Sequence, residues 1–245
     1  MQKRNNMILT AHQPVYLPWL GLFHKISLSD TYVFFDDVQY LPKDWMNRNY
    51  IKTVTGATWL TVPVLRKGHR DLKTSEIKIN NSINWREKHF STIKLNYKKT
   101  PYYDDYIPFF EEIYSKSWEF LSELNEHMLH WFLNELKINV NFLRSSDFEF
   151  KGKKSELVLD MCNKLKATTY IFGSLGKNYA DLSSFEENNI KVFFQDYLHP
   201  IYPQFNGEFI SNMSVVDLLF NCGPKSHEII LSNNLSYDEL KNTQI

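Results

Sequence analysis

The chain has only two cysteines in 245 residues, Cys162 and Cys222. That number excludes a disulfide scaffold and a cysteine-rich zinc site. Glycine (8) and proline (9) are sparse, and no internal repeat or low-complexity tract occurs. Neither charge sign is in excess, with 28 Lys+Arg against 28 Asp+Glu. This balance argues against a global electrostatic footprint for nucleic acid or anionic membrane. No apolar run approaches the roughly 18–20 residues of a membrane span. The basic start, Met1 to Asn6, is not followed by the apolar stretch of a secretory signal. A cytoplasmic location is expected by default.

What the chain has in abundance is rings: 16% of residues are aromatic, with 18 Phe, 14 Tyr and 6 Trp. Apolar residues at 43% and charged residues at 23% are ordinary for a globular protein. Tyrosine and tryptophan need partners for their polar ends, so part of this excess belongs in clefts or at interfaces.

Short β-prone runs alternate with helical periodicity. Strands are predicted at Met7–Ala11, Thr31–Phe35, Asn139–Leu143, Thr169–Phe172 and Lys191–Gln195. Helices are predicted at Pro18–Ser27, Ser155–Leu165, Asp181–Glu187 and near Ser211–Phe220. The middle third reads as a hairpin (Tyr50–Thr53 and Thr58–Val64), a third short strand at Ser75–Ile79, and helices Trp85–Asn96 and Trp118–Leu136. The expectation is an α/β fold: a parallel-sheet core with helices on both faces, plus a β-hairpin and helical insertion. Residues 7–232 read as one domain, about 44–138 as the insertion, and 1–6 and 233–245 as tails.

Open parallel sheets bind ligands beyond the carboxyl ends of their strands. The five predicted strand ends deliver His12 and Gln13; Asp36, Asp37 and Gln39; Arg144 to Asp147; Gly173 to Tyr179; and Asp196 to Gln204. A shaped pocket explains this better than a solvated rim. His12 is the candidate base, against a plain reading as a strand-end hydrogen bonder. Asp36 and Asp37 point to opposite faces; one could orient His12 or anchor an amine, or both could simply end a strand. Arg48, between Asn47 and Asn49, suits phosphate or carboxylate, or packs on Trp45. Gly173, Ser174 and Lys177 form a weak phosphate-cradle candidate, equally an ordinary tight turn. Tyr16, Trp19, Tyr179, His199, Tyr202 and Gln204 complete the candidate binding set. His127 and His130 share a helix face but lack the further ligands of a metal site, so no metal is expected.

Several segments together resemble the WbqC-like protein family. They are His12 to Gly21 (His-Gln-Pro-Val-Tyr-Leu-Pro-Trp-Leu-Gly), Phe23 to Ile26, Asp36 to Tyr40, Asn47-Arg48-Asn49, Leu60 to Val64 and Asn96-Tyr97. Pro101 to Tyr103, Pro200 to Gln204 and Ser214 to Gly223 extend the likeness from about Met7 to Gly223. The resemblance implies a part in bacterial surface-polysaccharide biosynthesis, such as O-antigen or lipopolysaccharide, beside enzymes that make and modify amino sugars. The chain departs from the pattern at Phe172-Gly173-Ser174, where Ser-Gly is the commoner pair. A more distant likeness is to the nucleotidyltransferase α/β fold, without its His-x-Gly-His motif.

The function expected is a transferase that attaches an acyl or aminoacyl group to a nucleotide-linked amino sugar. His12 would be its base and Asp37 the orienter or amine anchor. Arg48 and the Gly173–Lys177 turn would hold phosphates, while Tyr16, Trp19 and Tyr202 stack on sugar or base. No resident cofactor is firmly implied; the partners would be the nucleotide-linked sugar and an activated acyl or aminoacyl donor or carrier. The alternatives are an ATP-dependent ligase of adenylyl-transfer type and a non-catalytic binding or scaffold protein of the same pathway.

Overall fold

The computed structural model describes residues 6–65, 68 and 71–242. The basic Met1–Asn5 start and residues 243–245 of the expected tail lie outside the described residues.

Five strands form a parallel sheet: β1 (Ile8–His12), β2 (Thr31–Phe34), β5 (Asn141–Arg144), β6 (Thr169–Phe172) and β7 (Lys191–Phe194), in the order β5-β2-β1-β6-β7. The antiparallel hairpin β3 (Arg48–Thr53) and β4 (Gly56–Thr61) stands apart. Helices α1 (Leu20–Ser27), α2 (Trp85–Tyr97), α3 (Tyr103–Ser115), α4 (Leu121–Glu135), α5 (Ser155–Leu165), α6 (Leu182–Glu187), α7 (Val215–Cys222), α8 (Ser226–Leu231) and α9 (Tyr237–Asn242) complete the chain. The α/β class and the separate hairpin are as the sequence predicts.

Strand alternation sorts side chains onto two faces. Leu9, Ala11, Val33, Tyr170 and Phe172 pack against Val158, Met161 and Cys162 of α5 and Phe185 of α6. On the opposite face, Ile8 and Ile171 meet Leu28 and Leu240, while Tyr32 and Phe34 join a larger core. That core also takes in Phe23 of α1, Ile51 and Leu60 of the hairpin, Ile93, Phe110 and Phe132 of α2–α4, and Val216 of α7. The hairpin and helical segment therefore shares one core with α1 and α7. His12 falls on the α1 face with Ile8 and Thr10.

Three helices depart from the reading of the sequence. Helix α3 carries Pro108 and the acidic pair Asp104-Asp105, which mask its periodicity, yet Tyr106, Phe109, Phe110 and Ile113 form its buried stripe. Helix α8 follows the Gly223-Pro224 break, where a single 3-10 turn re-initiates the chain. Helix α9 lies in the expected tail, and it buries Leu240 while the Tyr237 hydroxyl donates to Asp30. The predicted strand at Ser75–Ile79 is instead a 3-10 turn, Thr74–Glu76, followed by isolated bridges at Lys78 and Ile79.

Candidate functional site

The chain builds the sheet outward from β1 through β2 to β5, then returns to lay β6 and β7 on β1's other side. The strand order thus reverses between β1 and β6, the position where open α/β sheets leave a crevice. β1 pairs with β6 through Ile8, Thr10 and their partners up to Ile171, and Thr10 Oγ1 adds a 2.9 Å bond to the Ile171 carbonyl. The pairing of β1 with β6 ends at that rung. There the Ala11 carbonyl accepts a 2.9 Å hydrogen bond from Lys25 Nζ of α1.

Lys25 is only 4% exposed, since every residue of α1 from Leu20 to Ile26 is buried. An ammonium has three donors, and one protein acceptor fills one of them. Among the described residues no carboxylate pairs with it. Burial without a counter-charge disfavours the protonated form and lowers the lysine to about 7. The sequence alone does not single out this residue, because a lysine in a short helix normally lies on the solvated face.

His12 follows immediately. Its Nδ1 lies 2.8 Å from the Gln13 carbonyl; a carbonyl only accepts, so Nδ1 carries the hydrogen and Nε2 keeps its lone pair. Burial, with the Lys25 charge second, pushes the imidazole down to about 3. His12 is therefore a neutral acceptor throughout the physiological range. The loop beyond it is held by Asn49, whose buried amide donates 2.6 Å to the Leu17 carbonyl. Leu17 sits at φ 47°, a left-handed conformation that costs a non-glycine residue about 1–2 kcal/mol.

A line of rings leads away from His12. Its imidazole meets Trp19 edge-on at 5.3 Å, Trp19 lies 6.1 Å from Trp45, and Trp45 lies 5.4 Å from Trp59. Tyr50 packs on Trp59 at 3.7 Å, with the Arg48 guanidinium 4.3 Å above the Trp59 ring. Trp45 is 40% exposed. From the β7 side, Gln195 Nε2 donates to the Gly21 carbonyl (2.9 Å) and to His24 Nδ1 (2.7 Å). His24 Nε2 must then carry the hydrogen it gives the Leu235 carbonyl, so both its nitrogens are used structurally. Tyr197 packs so closely that a Cβ on Gly21 would lie 2.9 Å from it. Its hydroxyl is buried without a hydrogen-bond partner among the described residues.

Other predicted site residues are placed elsewhere. Asp36 braces the end of β5, accepting from Ser145 Oγ, Ser146 N and Ser146 Oγ at 2.8–3.0 Å. Asp37 pairs with Lys73 at 2.5 Å, and its backbone N–H donates to Ser145 Oγ. Gln39 forms an isolated bridge with Lys73. Tyr16, expected to stack on ligand, is fully buried; its hydroxyl meets Tyr114 (2.5 Å) and His89 Nδ1 (2.8 Å). Tyr202 is likewise internal, donating 2.9 Å to Asp217. Asp217 also accepts from Tyr97 at 3.0 Å, and its burial raises it to about 6 against the lowering effect of those bonds. Gln204 donates to the Tyr202 hydroxyl and spans Ile210, and His199 bonds Pro200 and Asn212. Asn47 donates to the Val62 carbonyl. Arg48 packs on Trp59 rather than Trp45 and donates to the Lys43 carbonyl.

The Gly173–Lys177 segment is a five-residue 3-10 turn, Ser174–Asn178, with no helix behind it to supply an aligned dipole. Gly176 allows its backbone to lie against Phe172, where a Cβ would come within 2.5 Å of that side chain. Ser174 and Lys177 are exposed, and Tyr179 touches Phe172 edge-on at 5.8 Å.

The WbqC-like protein family matches residues 13–229 of the chain. An uncharacterized protein of Mycobacterium tuberculosis is 33% identical over 220 residues, covering 89% of this chain and 95% of that protein. No solved structure matches.

Proposed function

The chain belongs to the WbqC-like protein family, and on that footing we propose that it is a transferase acting on a nucleotide-linked amino sugar at the β1/β6 crevice. The observation that carries this reading is the buried, unpaired Lys25 ammonium beside His12. An isolated buried cation is costly unless an anion meets it, and a diphosphate supplies that anion in a nucleotide-linked sugar. Two donors of Lys25 remain for its oxygens.

The roles follow from the geometry. Lys25 binds phosphate oxygens, and His12 Nε2 accepts a hydrogen bond from the sugar's amine, orienting its lone pair. The exposed face of Trp45, continued by Trp19 and Trp59, stacks the flat part of the ligand. In the reaction the amine nitrogen bonds to the carbonyl carbon of an activated acyl or aminoacyl donor. The bond from that carbon to its leaving group breaks, and the proton given up by the amine ends on the departing thiolate or alkoxide, which leaves as the neutral thiol or alcohol. The test is mass spectrometry of a panel of nucleotide-linked amino sugars incubated with the protein and thioester or aminoacyl donors. Wild-type protein should add the donor's acyl mass to a sugar, and His12→Gln should remove turnover; undiminished turnover in His12→Gln would sink its assignment.

A second reading is an ATP-dependent ligase of adenylyl-transfer type, because a histidine-bearing loop follows the first strand here, as in the nucleotidyltransferase α/β fold that the sequence distantly resembles. Fold likeness alone does not carry function. Pyrophosphate release that depends on ATP and magnesium would favour the ligase over the transferase.

A further inference from the structure

A second cleft opens at the opposite, amino-terminal edge of the sheet. It has a volume of about 760 Å³ and lies between the α1–β2 loop, the last turns of α4 and the entry into β5. None of the residues of the β1/β6 candidate site lines it. Its chemistry is different from that of the crevice. Asn134, Asn139 and Asn141 present three side-chain amides within eight residues, and His130 and Phe142 present rings packed at 4.2 Å.

These groups are largely uncommitted. The Asn139 side chain is exposed and makes no hydrogen bond among the described residues. Asn134 has only a 3.5 Å contact with Glu135, and Asn141 a 3.3 Å contact with Thr31. The charge at the cleft, by contrast, is spent: Asp30 accepts from Ile8 N, the Tyr237 hydroxyl and Lys241 Nζ. Lys241 is held there and over the Tyr237 ring, so among the described residues no unpaired lysine or arginine lines the cleft to recruit a phosphate.

Neutral amides paired with ring faces match one ligand class closely. A pyranose offers hydroxyls that both donate and accept, as amides do, and C–H faces that pack on rings. The volume lies within the usual range of small-ligand sites. We propose that this cleft binds an uncharged saccharide, held by the amides of Asn134 and Asn139 and packed on Phe142. The inference goes beyond the proposed reaction and does not depend on it.

Calorimetric titration with two neutral probes, N,N′-diacetylchitobiose and maltotriose, tests it on the full chain. At least one probe should bind, and the exposed double change Asn134→Ala/Asn139→Ala should weaken it by about tenfold or more, through loss of amide hydrogen bonds. Uridine diphosphate should not compete, because its site is at the other edge. An unchanged melting temperature shows that the variant is folded. Failure of both probes, binding indifferent to the double change, or displacement by uridine diphosphate would overturn the proposal. None of these outcomes involves turnover, so they separate this cleft from the transferase reading.

Discussion

Lys25 Nζ lies 2.9 Å from the Ala11 carbonyl, one residue beyond the last β1–β6 pair. This one contact places a buried lysine amine next to His12 and leaves two of its donors without an acceptor among the described residues. It also couples the two groups, because the Lys25 charge helps to keep the imidazole neutral.

Stability should rise with pH across the window that Lys25 controls. The ordinary lysine value of 10.5 falls to about 7 in the folded chain. Between those values the unfolded chain holds a proton that the folded chain has released, so unfolding free energy increases by up to about 1.4 kcal/mol per pH unit. His12 acts in the same sense between about 3 and 6.5. Urea midpoints for Lys25→Met should be higher than wild type at pH 6.5 and flatter between pH 7 and 10. A variant that keeps the wild-type slope would show that another group is responsible.

Asp217 contributes with the opposite sign. Its folded value of about 6 exceeds the ordinary 3.8, so its contribution is full below about pH 4 and is lost as pH rises through 6. Asp217→Ala leaves the Tyr97 and Tyr202 hydroxyls without their acceptor and should cost roughly 2–4 kcal/mol. Asp217→Asn should cost less and abolish the decline between pH 4 and 6. Chemical denaturation at pH 4.5 and 7.5 reads both effects.

Trp45 tests the ring line without disturbing the core. It is 40% exposed, so Trp45→Ala should leave the melting temperature within a few degrees of wild type. Affinity for a nucleotide-linked sugar should fall by about tenfold, the scale of one lost stacking surface. A loss of stability with unchanged affinity would make Trp45 a packing residue instead.

Much of the fold was legible because β1, β2 and β6 are short apolar or β-branched runs bounded by turn residues, and α1, α4 and α5 carry clear helical spacing. Helix α3 was not, because Pro108 and its acidic first turn interrupt the pattern that tertiary packing completes. At the site, His12 was legible as the first titratable group after the central strand. Lys25 was not: nothing local tells a buried lysine from an exposed one, and its burial arises only when α1 is enclosed by the sheet, α8 and the β7 exit. Tyr16 and Tyr202 misled for the converse reason. A tyrosine's polar end can be satisfied inside a core, here by Tyr114, His89 and Asp217, as well as at a ligand.

The most direct test is calorimetric titration of a uridine-diphosphate amino sugar from pH 6 to 9, on wild type and Lys25→Met. The diphosphate does not titrate in this range but the sugar's amine does, so the N-acetylated form of the same sugar nucleotide is titrated in parallel, and a pH dependence common to both reports the protein. Wild-type affinity should fall by about tenfold per unit above pH 7, as the free protein gives up the Lys25 proton. Lys25→Met should bind at least about tenfold more weakly at pH 6.5, with no such slope. Equal, pH-independent affinity in the two proteins would contradict the assignment of the β1/β6 crevice as the diphosphate site.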